Sequence, residues 1–97
     1  MNFFDYETPI IDENFDTLFE NKNIKIQRIV SSNIDTPKEF LQKENEWVIL
    51  LKGEAEIEMN NKKYNIKKGE YIFIPSNTPH KLLKTKEGTL WLAIHFI

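Results

Sequence analysis

The chain has 97 residues, with 13 Lys and Arg against 15 Asp and Glu, a formal net charge of −2 and no Cys. This length fits one soluble domain, residues 1–97. The weak negative charge offers no basic field for nucleic acid or anionic lipid, and the lack of Cys excludes disulfides, thiolate metal sites and a Cys nucleophile. No apolar run approaches the roughly 20 residues of a membrane span, and the acidic start does not resemble a signal peptide. We therefore expect a cytoplasmic protein whose partners are neither nucleic acids nor membranes.

The first half of the chain predicts two strands and one ambiguous segment. Residues 15–20 place Phe15, Leu18 and Phe19 at the spacing of one helix face, but six residues fit a short strand nearly as well. The alternation over residues 24–30 predicts a strand. Residues 47–52 form a short apolar run rich in Trp, Val and Ile, which favours a buried strand, with Trp47 in the core.

The second half of the chain predicts a series of short strands joined by turns. Apolar residues alternate on both sides of Asn60-Asn61, two residues that tolerate positive φ, so residues 54–66 are predicted to form a hairpin. Three more extended segments follow, at residues 71–74, 80–84 and 89–97, with a Pro-rich loop at 75–79. The last segment is apolar on both faces, which is typical of a strand between two layers or in a subunit interface.

This regular spacing of short strands, with almost no helical pattern, predicts an all-β sandwich or barrel. Two segments carry further information. Glu46 and Gly53 are spaced Glu-x6-Gly, and Gly69, Pro75 and His80 are spaced Gly-x5-Pro-x4-His. Together they resemble the two motifs of the cupin superfamily, over residues 38–96. The resemblance implies a double-sheet jelly-roll β-barrel with a short N-terminal extension, similar to small stand-alone bacterial cupins.

The sequence departs from the cupin motifs at several positions. Phe40 and Gln42 stand where the first motif has two His ligands, so half of the usual metal set is altered. Asn77 stands where the second motif usually has Gly, and Asn tolerates the left-handed conformation that Gly supplies there. Lys84 replaces the usual Asn. The resemblance therefore implies the fold more strongly than the chemistry.

Four side chains are candidate metal ligands or ligand-binding groups, namely His80, Glu46, Gln42 and His95. If Phe40, Gln42, Glu46, Val48 and Leu50 share one strand face that points inward, polar groups converge in an apolar cavity. A carboxylate buried there needs a cation, a His or hydrogen-bond donors. The alternative for Glu46 is a salt bridge to Lys at the rim, for His80 a hydrogen bond to the loop backbone, and for Gln42 an exposed position.

His95 shares a strand face with Trp91 and Ala93. If that face is interior, His95 joins Glu46 and His80 in a two-His, one-carboxylate set suited to iron, manganese or similar ions. Because the opposite face, with Leu92 and Ile94, is more plainly apolar, His95 is alternatively a core or interface residue. Lys81, Lys84 and Lys86 follow His80 and either steer an anionic ligand or form a solvated sheet edge.

Three functions follow as hypotheses. The first is a cupin that binds a divalent metal (iron, manganese, nickel or zinc) or a small polar molecule, for which the superfamily implies a metal-dependent oxygenase or isomerase step. The second is a metal-free barrel that binds or senses a small ligand. The third is an interaction module in which the last strand builds a homodimer, and this is compatible with either of the others.

Overall fold

The computed structural model describes residues 1–97 as an all-β protein with nine strands and no helix. The strands are β1 (Glu13–Glu20), β2 (Ile24–Ser31), β3 (Lys38–Phe40), β4 (Asn45–Lys52), β5 (Glu54–Met59), β6 (Lys62–Lys67), β7 (Tyr71–Ile74), β8 (His80–Thr85) and β9 (Thr89–Phe96). The structure therefore holds no helix that could span a membrane. The predicted all-β fold class is confirmed.

The strands form two antiparallel sheets. The five-stranded sheet has the order β1-β2-β9-β4-β7, and the four-stranded sheet has the order β3-β8-β5-β6. Consecutive strands β4 and β5 lie in different sheets, as do β6 and β7, so the chain repeatedly crosses from one sheet to the other. This arrangement is the jelly-roll barrel that the motifs predicted.

The core lies between the two sheets and draws apolar side chains from both. Leu50 and Ala93 are completely buried on the inner face of the five-stranded sheet, and Ile57 and Leu82 face them from the four-stranded sheet. The alternating burial along β4 and β5 shows why these strands have one inner and one outer face. The inner faces therefore fix which side chains reach the interior of the barrel.

Most predicted strands and turns are confirmed. Asn60 and Asn61 have φ values of 53° and 63° in the β5–β6 turn, and Asn77 has a φ of 56° in the loop before β8. These are the left-handed conformations expected of Asn at these positions. The ambiguous segment 15–20 belongs to strand β1, so its alternative as a helical turn was wrong.

A bulge in β1 explains why that segment imitates a helix. The pairing of β1 with β2 shifts between Thr17 and Phe19, which inserts an extra residue at Leu18. As a result, Phe15 pairs with the inward-facing Ile29 while Phe19 pairs with Ile26 on the opposite face. Phe15 and Phe19, four positions apart, therefore lie on opposite faces of one strand rather than on one face of a helix.

The outer face of the five-stranded sheet is unusually apolar. Trp47, expected in the core, is half-buried on this outer face, where its ring lies 5.6 Å from that of Tyr71. Phe73 and Phe96 stack beside them with ring centroids 6.3 Å apart. The placement of Trp47 in the core was wrong because all residues of the 47–52 run are apolar except Lys52, so the run alone does not distinguish the faces.

Candidate functional site

A cavity of about 90 Å³ lies between the sheets. It is mostly apolar, with a small number of polar side chains, which is the composition typical of small-molecule sites. Its walls come from both sheets and from the β3–β4 connection. The lining residues are Glu13, Phe15, Gln27, Ile29, Phe40, Gln42, Glu46, Val48, Ile57, Ile74, His80, Leu82, Trp91 and His95. All four predicted site residues therefore line one cavity.

The register of the five-stranded sheet brings Glu46 and His95 together. They are directly paired residues on β4 and β9, and His95 Nε2 lies 3.6 Å from Glu46 Oε2. Gln42 donates a hydrogen bond from its amide nitrogen to Glu46 Oε1 at 2.8 Å. Glu46 is only 7% exposed, and no Lys contacts it. The alternative of a rim salt bridge is therefore wrong, and His95 lies on the inner face of β9.

His80 lies on the opposite sheet and has a defined tautomer. Its Nδ1 is 3.0 Å from the carbonyl oxygen of Thr78. Because a carbonyl only accepts hydrogen bonds, Nδ1 carries the proton, and in the neutral ring Nε2 is an acceptor. His80 is 8% exposed, and its ring stacks on Phe40, its partner in the β3–β8 pairing, at 5.7 Å. His80 therefore forms the hydrogen bond to the loop backbone that was one alternative, and it also lines the cavity.

The assumption that Phe40, Gln42 and Glu46 share one strand face was wrong. Phe40 belongs to the three-residue strand β3 of the four-stranded sheet, Gln42 lies in the connection, and Glu46 belongs to β4 of the five-stranded sheet. The three side chains nevertheless line the same cavity because the connection crosses between the sheets. The sequence gives no strong sign of β3, since the strand has only three residues, two of them charged, and follows Pro37.

A second polar group in the cavity was not predicted. Glu13 on β1 pairs with Ser31 on β2, and the Ser31 hydroxyl donates a hydrogen bond to the Glu13 carboxylate. The same hydroxyl accepts a hydrogen bond of 3.0 Å from the indole nitrogen of Trp91. Glu13 lies among acidic residues at the start of the chain, where only its alternation with Phe15 would have indicated an inward position.

Burial raises the pKa of the Glu13 carboxyl above its ordinary value of 4.5. The Ser31 hydrogen bond and the nearby charge of Lys38 act in the opposite direction, and the negative charges of Glu46 and Asp12 add to the rise. Because the folded protein binds this proton more tightly than the unfolded chain, Glu13 lowers the free energy of unfolding as pH rises through its folded pKa.

The substitution Glu13→Gln should therefore make the protein more stable than the wild type at neutral pH. A Gln side chain retains an oxygen that accepts the Ser31 hydrogen bond but carries no charge to desolvate. The advantage should shrink as pH falls toward the ordinary pKa of 4.5 and disappear well below it, where Glu13 is protonated in both states. Urea unfolding across this pH range measures both effects.

Glu20→Gln is the matched control for this experiment. Glu20 lies on the same strand as Glu13 but is exposed. We expect no pH-dependent difference between Glu20→Gln and the wild type. A Glu13→Gln variant that is less stable at neutral pH would contradict the interpretation, because it would mean that the ionised carboxylate stabilises the fold.

The polar groups do not, as arranged, fit a resident divalent ion. Such an ion needs several converging lone pairs, usually from His nitrogens and carboxylate oxygens. No group of three or more His, Cys, Asp or Glu side chains meets this requirement. Gln42 presents an N–H to Glu46, and the ring of Phe40 stands beside His80 in place of a ligand. We therefore derive no chemical step through a metal.

The two antiparallel sheets and their crossing connections define this molecule as a small jelly-roll β-barrel with a mostly apolar cavity between its sheets. Residues 33–95 match the family profile described as Cupin domain. The chain belongs to the cupin superfamily, as the motif resemblance predicted.

Solved structures support this assignment. A Ralstonia eutropha protein provisionally assigned as a mannose-6-phosphate isomerase is 31% identical, with a TM-score of 0.89 over 99% of this chain and 95% of that protein. A cupin superfamily protein from Desulfitobacterium hafniense is 17% identical, with a TM-score of 0.83 over 95% and 84% of the two chains. KdgF from Halomonas sp. is 10% identical, with a TM-score of 0.80 over 94% and 87%. No curated protein gives a significant match.

Proposed function

We propose that this protein is a binding cupin that holds a small polar molecule directly between its sheets, without a metal ion. The observation that carries this proposal is the convergence of Glu46, His95, Gln42 and His80 on one mostly apolar cavity. A small number of polar groups in an apolar pocket is enough to fix the orientation of a ligand, and burial strengthens the electrostatic interactions of these groups. The volume of about 90 Å³ suits a molecule of only a few non-hydrogen atoms.

The provisional isomerase assignment of the Ralstonia protein suggests a sugar phosphate as one ligand to consider. The composition of the cavity argues against it for this chain. A phosphate group is usually held by Arg, Lys or clustered backbone N–H groups. No Lys or Arg lines the cavity. We therefore leave isomerase chemistry out of the proposal.

The two tryptophans provide a direct test of ligand entry. Trp91 lines the cavity, whereas Trp47 lies on the outer face of the same sheet. In protein labelled with fluorotryptophan, a ligand that enters the cavity should shift the fluorine resonance of Trp91 and leave that of Trp47 unchanged. Trp47→Phe assigns the two signals. A library of small polar fragments that never shifts the Trp91 signal selectively would contradict the proposal.

Metal content is the complementary measurement. Protein purified without a His tag or chelator should contain no stoichiometric iron, manganese, nickel or zinc by elemental mass spectrometry, and should gain none after incubation with these ions. Near-stoichiometric metal that is lost in both His80→Ala and Glu46→Ala would overturn the proposal and establish a metal-dependent cupin.

A second proposal, compatible with the first, is that the chain forms a homodimer through the outer face of the five-stranded sheet. Phe73 is 47% exposed there, and Tyr71 is more exposed still. Half-buried Trp47, Ile94 and Phe96 surround them. An exposed, aromatic sheet face fits a two-fold interface, in which the same surface occurs on both subunits.

Phe73→Glu should weaken this association at least about thirtyfold, because aromatic anchors at interface centres each contribute about 2 kcal/mol or more. Sedimentation equilibrium measures the change. Leu41→Glu is the matched control, since Leu41 is also exposed but lies in the β3–β4 connection. A wild-type chain that stays monomeric at all concentrations, or equal effects of both variants, would rule out this interface.

A further inference from the structure

Apart from its two histidines, the cavity is lined by ionisable side chains of one kind only, which are carboxylic acids. Glu13 and Glu46 are the only Asp, Glu, Lys or Arg side chains among the lining residues. The nearest basic groups lie outside. Lys38 is close enough to lower the pKa of Glu13, but its ammonium group forms an ion pair with Asp12. Lys25 is the strand partner of His95 in the sheet, but it does not line the cavity. An anion would therefore enter an interior with two carboxyl groups and no Lys or Arg.

The lysines after His80 do not reverse this charge. Lys81 lies near Glu39 and Glu58, at 3.7 Å and 4.0 Å, and Lys86 pairs with Glu54 at 3.0 Å. None of them lines the cavity. The alternative that this basic cluster steers an anionic ligand therefore has no support from its contacts.

The remaining hydrogen-bonding capacity of the site is rich in acceptors. His80 is more than nine-tenths buried, and its Nδ1 proton is donated to the Thr78 carbonyl, so in the neutral ring Nε2 offers a lone pair with no partner in the chain. Glu46 accepts a hydrogen bond of 2.8 Å from Gln42, and Glu13 accepts one from the Ser31 hydroxyl, which leaves further lone pairs on both carboxyl groups. A complementary ligand must bring several donors.

The apolar part of the wall includes three aromatic rings, from Phe15, Phe40 and Trp91. Aromatic faces attract cations, and this attraction increases when the cation is removed from water. A primary ammonium group combines three N–H donors with a positive charge, while a short alkyl chain matches the apolar walls. An alcohol supplies one donor and a carboxylate supplies none.

We infer that the cavity selects a small organic cation, of the primary ammonium class, over neutral and anionic molecules of the same size. This inference rests on the proposed function, because it names the ligand class of the same cavity. The two proposals can fail separately. A cavity that binds neutral polar molecules would agree with the proposed function and contradict the cation inference.

The test compares propylammonium, 1-propanol and propionate, which differ mainly in charge, on fluorotryptophan-labelled protein in phosphate buffer without Tris or imidazole. Propylammonium should shift the Trp91 resonance with a dissociation constant at least about tenfold lower than those of the other two, given the strength of charge-assisted hydrogen bonds. Glu46→Gln should weaken propylammonium binding at least about tenfold, and Glu20→Gln, which changes an exposed carboxylate, should leave it unchanged.

Glu13→Gln provides a second variant if Glu46→Gln does not fold, and circular dichroism checks the fold of each. Equal or tighter binding of 1-propanol or propionate at the Trp91 signal would overturn the cation inference while supporting the cavity as a binding site. If none of the three shifts Trp91, the inference is overturned, and the fragment library decides the proposed function separately.

Discussion

Gly53→Ala should destabilise the protein severely, by about 3 to 5 kcal/mol, because it combines an unfavourable backbone conformation with a steric overlap. Gly53 joins β4 to β5 with a φ of 94°, which L side chains rarely adopt. A Cβ atom at this position would lie 2.4 Å from the Thr89 hydroxyl oxygen and 2.8 Å from its Cα. Urea unfolding measures the loss.

Thr89 has little freedom to move away from this overlap. It is completely buried, and its hydroxyl donates to the backbone oxygens of Lys86 and Glu54, at 2.7 Å and 3.2 Å. Relief of the clash would therefore shift the start of β9, the strand that carries Trp91 and His95. We expect the remaining folded protein to show a changed Trp91 signal.

Gly69→Ala is the matched control for the backbone conformation alone. Gly69 has a similar φ of 87°, but no atom lies within 4 Å of the position of an added Cβ. Its substitution should cost only about 1 to 2 kcal/mol, the usual penalty for a left-handed L residue. Equal costs at the two positions would show that contact with Thr89 does not account for the Gly at position 53.

These two glycines show how far sequence reasoning reached into the fold. Motif spacing and turn chemistry placed both at strand ends, and the structure confirms both turns. The close approach of Thr89 to Gly53 is a contact between residues 36 positions apart, which no local pattern reveals. The β1 bulge and the short strand β3 were unpredictable for a similar reason, because strand pairing rather than local sequence determines them.

The candidate site was predictable as a set of residues but not as a geometry. Motif matching found Glu46 and His80, and alternation along β9 found His95 as a candidate whose face stayed open. Both faces of strand β9 are apolar in sequence, and only the packing of the two sheets determines that the face with Trp91 points inward. Glu13 was missed because it lies in a strand outside the cupin motifs, and only its pairing with Ser31 places it at the cavity.

Leu50 lies on the inner face of β4, within the core between the two sheets. Leu50→Ala should lower the free energy of unfolding by about 3 to 5 kcal/mol, because it removes buried methyl groups and leaves a cavity that the surrounding structure fills only partly. Leu50 is completely buried, belongs to the core and pairs with Trp91 on β9. Denaturation in urea at a concentration where the chain is monomeric measures this loss.

Leu51→Ala removes the same atoms one residue further along the chain. Leu51 is only half-buried, and it lies at the irregularity between Leu50 and Lys52 in the pairing of β4 with β9. We expect a cost of about 1 kcal/mol, since partial exposure leaves less transfer free energy to lose. If Leu51→Ala instead costs as much as Leu50→Ala, the inner face of β4 is assigned incorrectly. The inward orientation of Glu46, which shares the parity of Leu50, would then be in doubt as well, and with it the polar group on which both binding proposals rest.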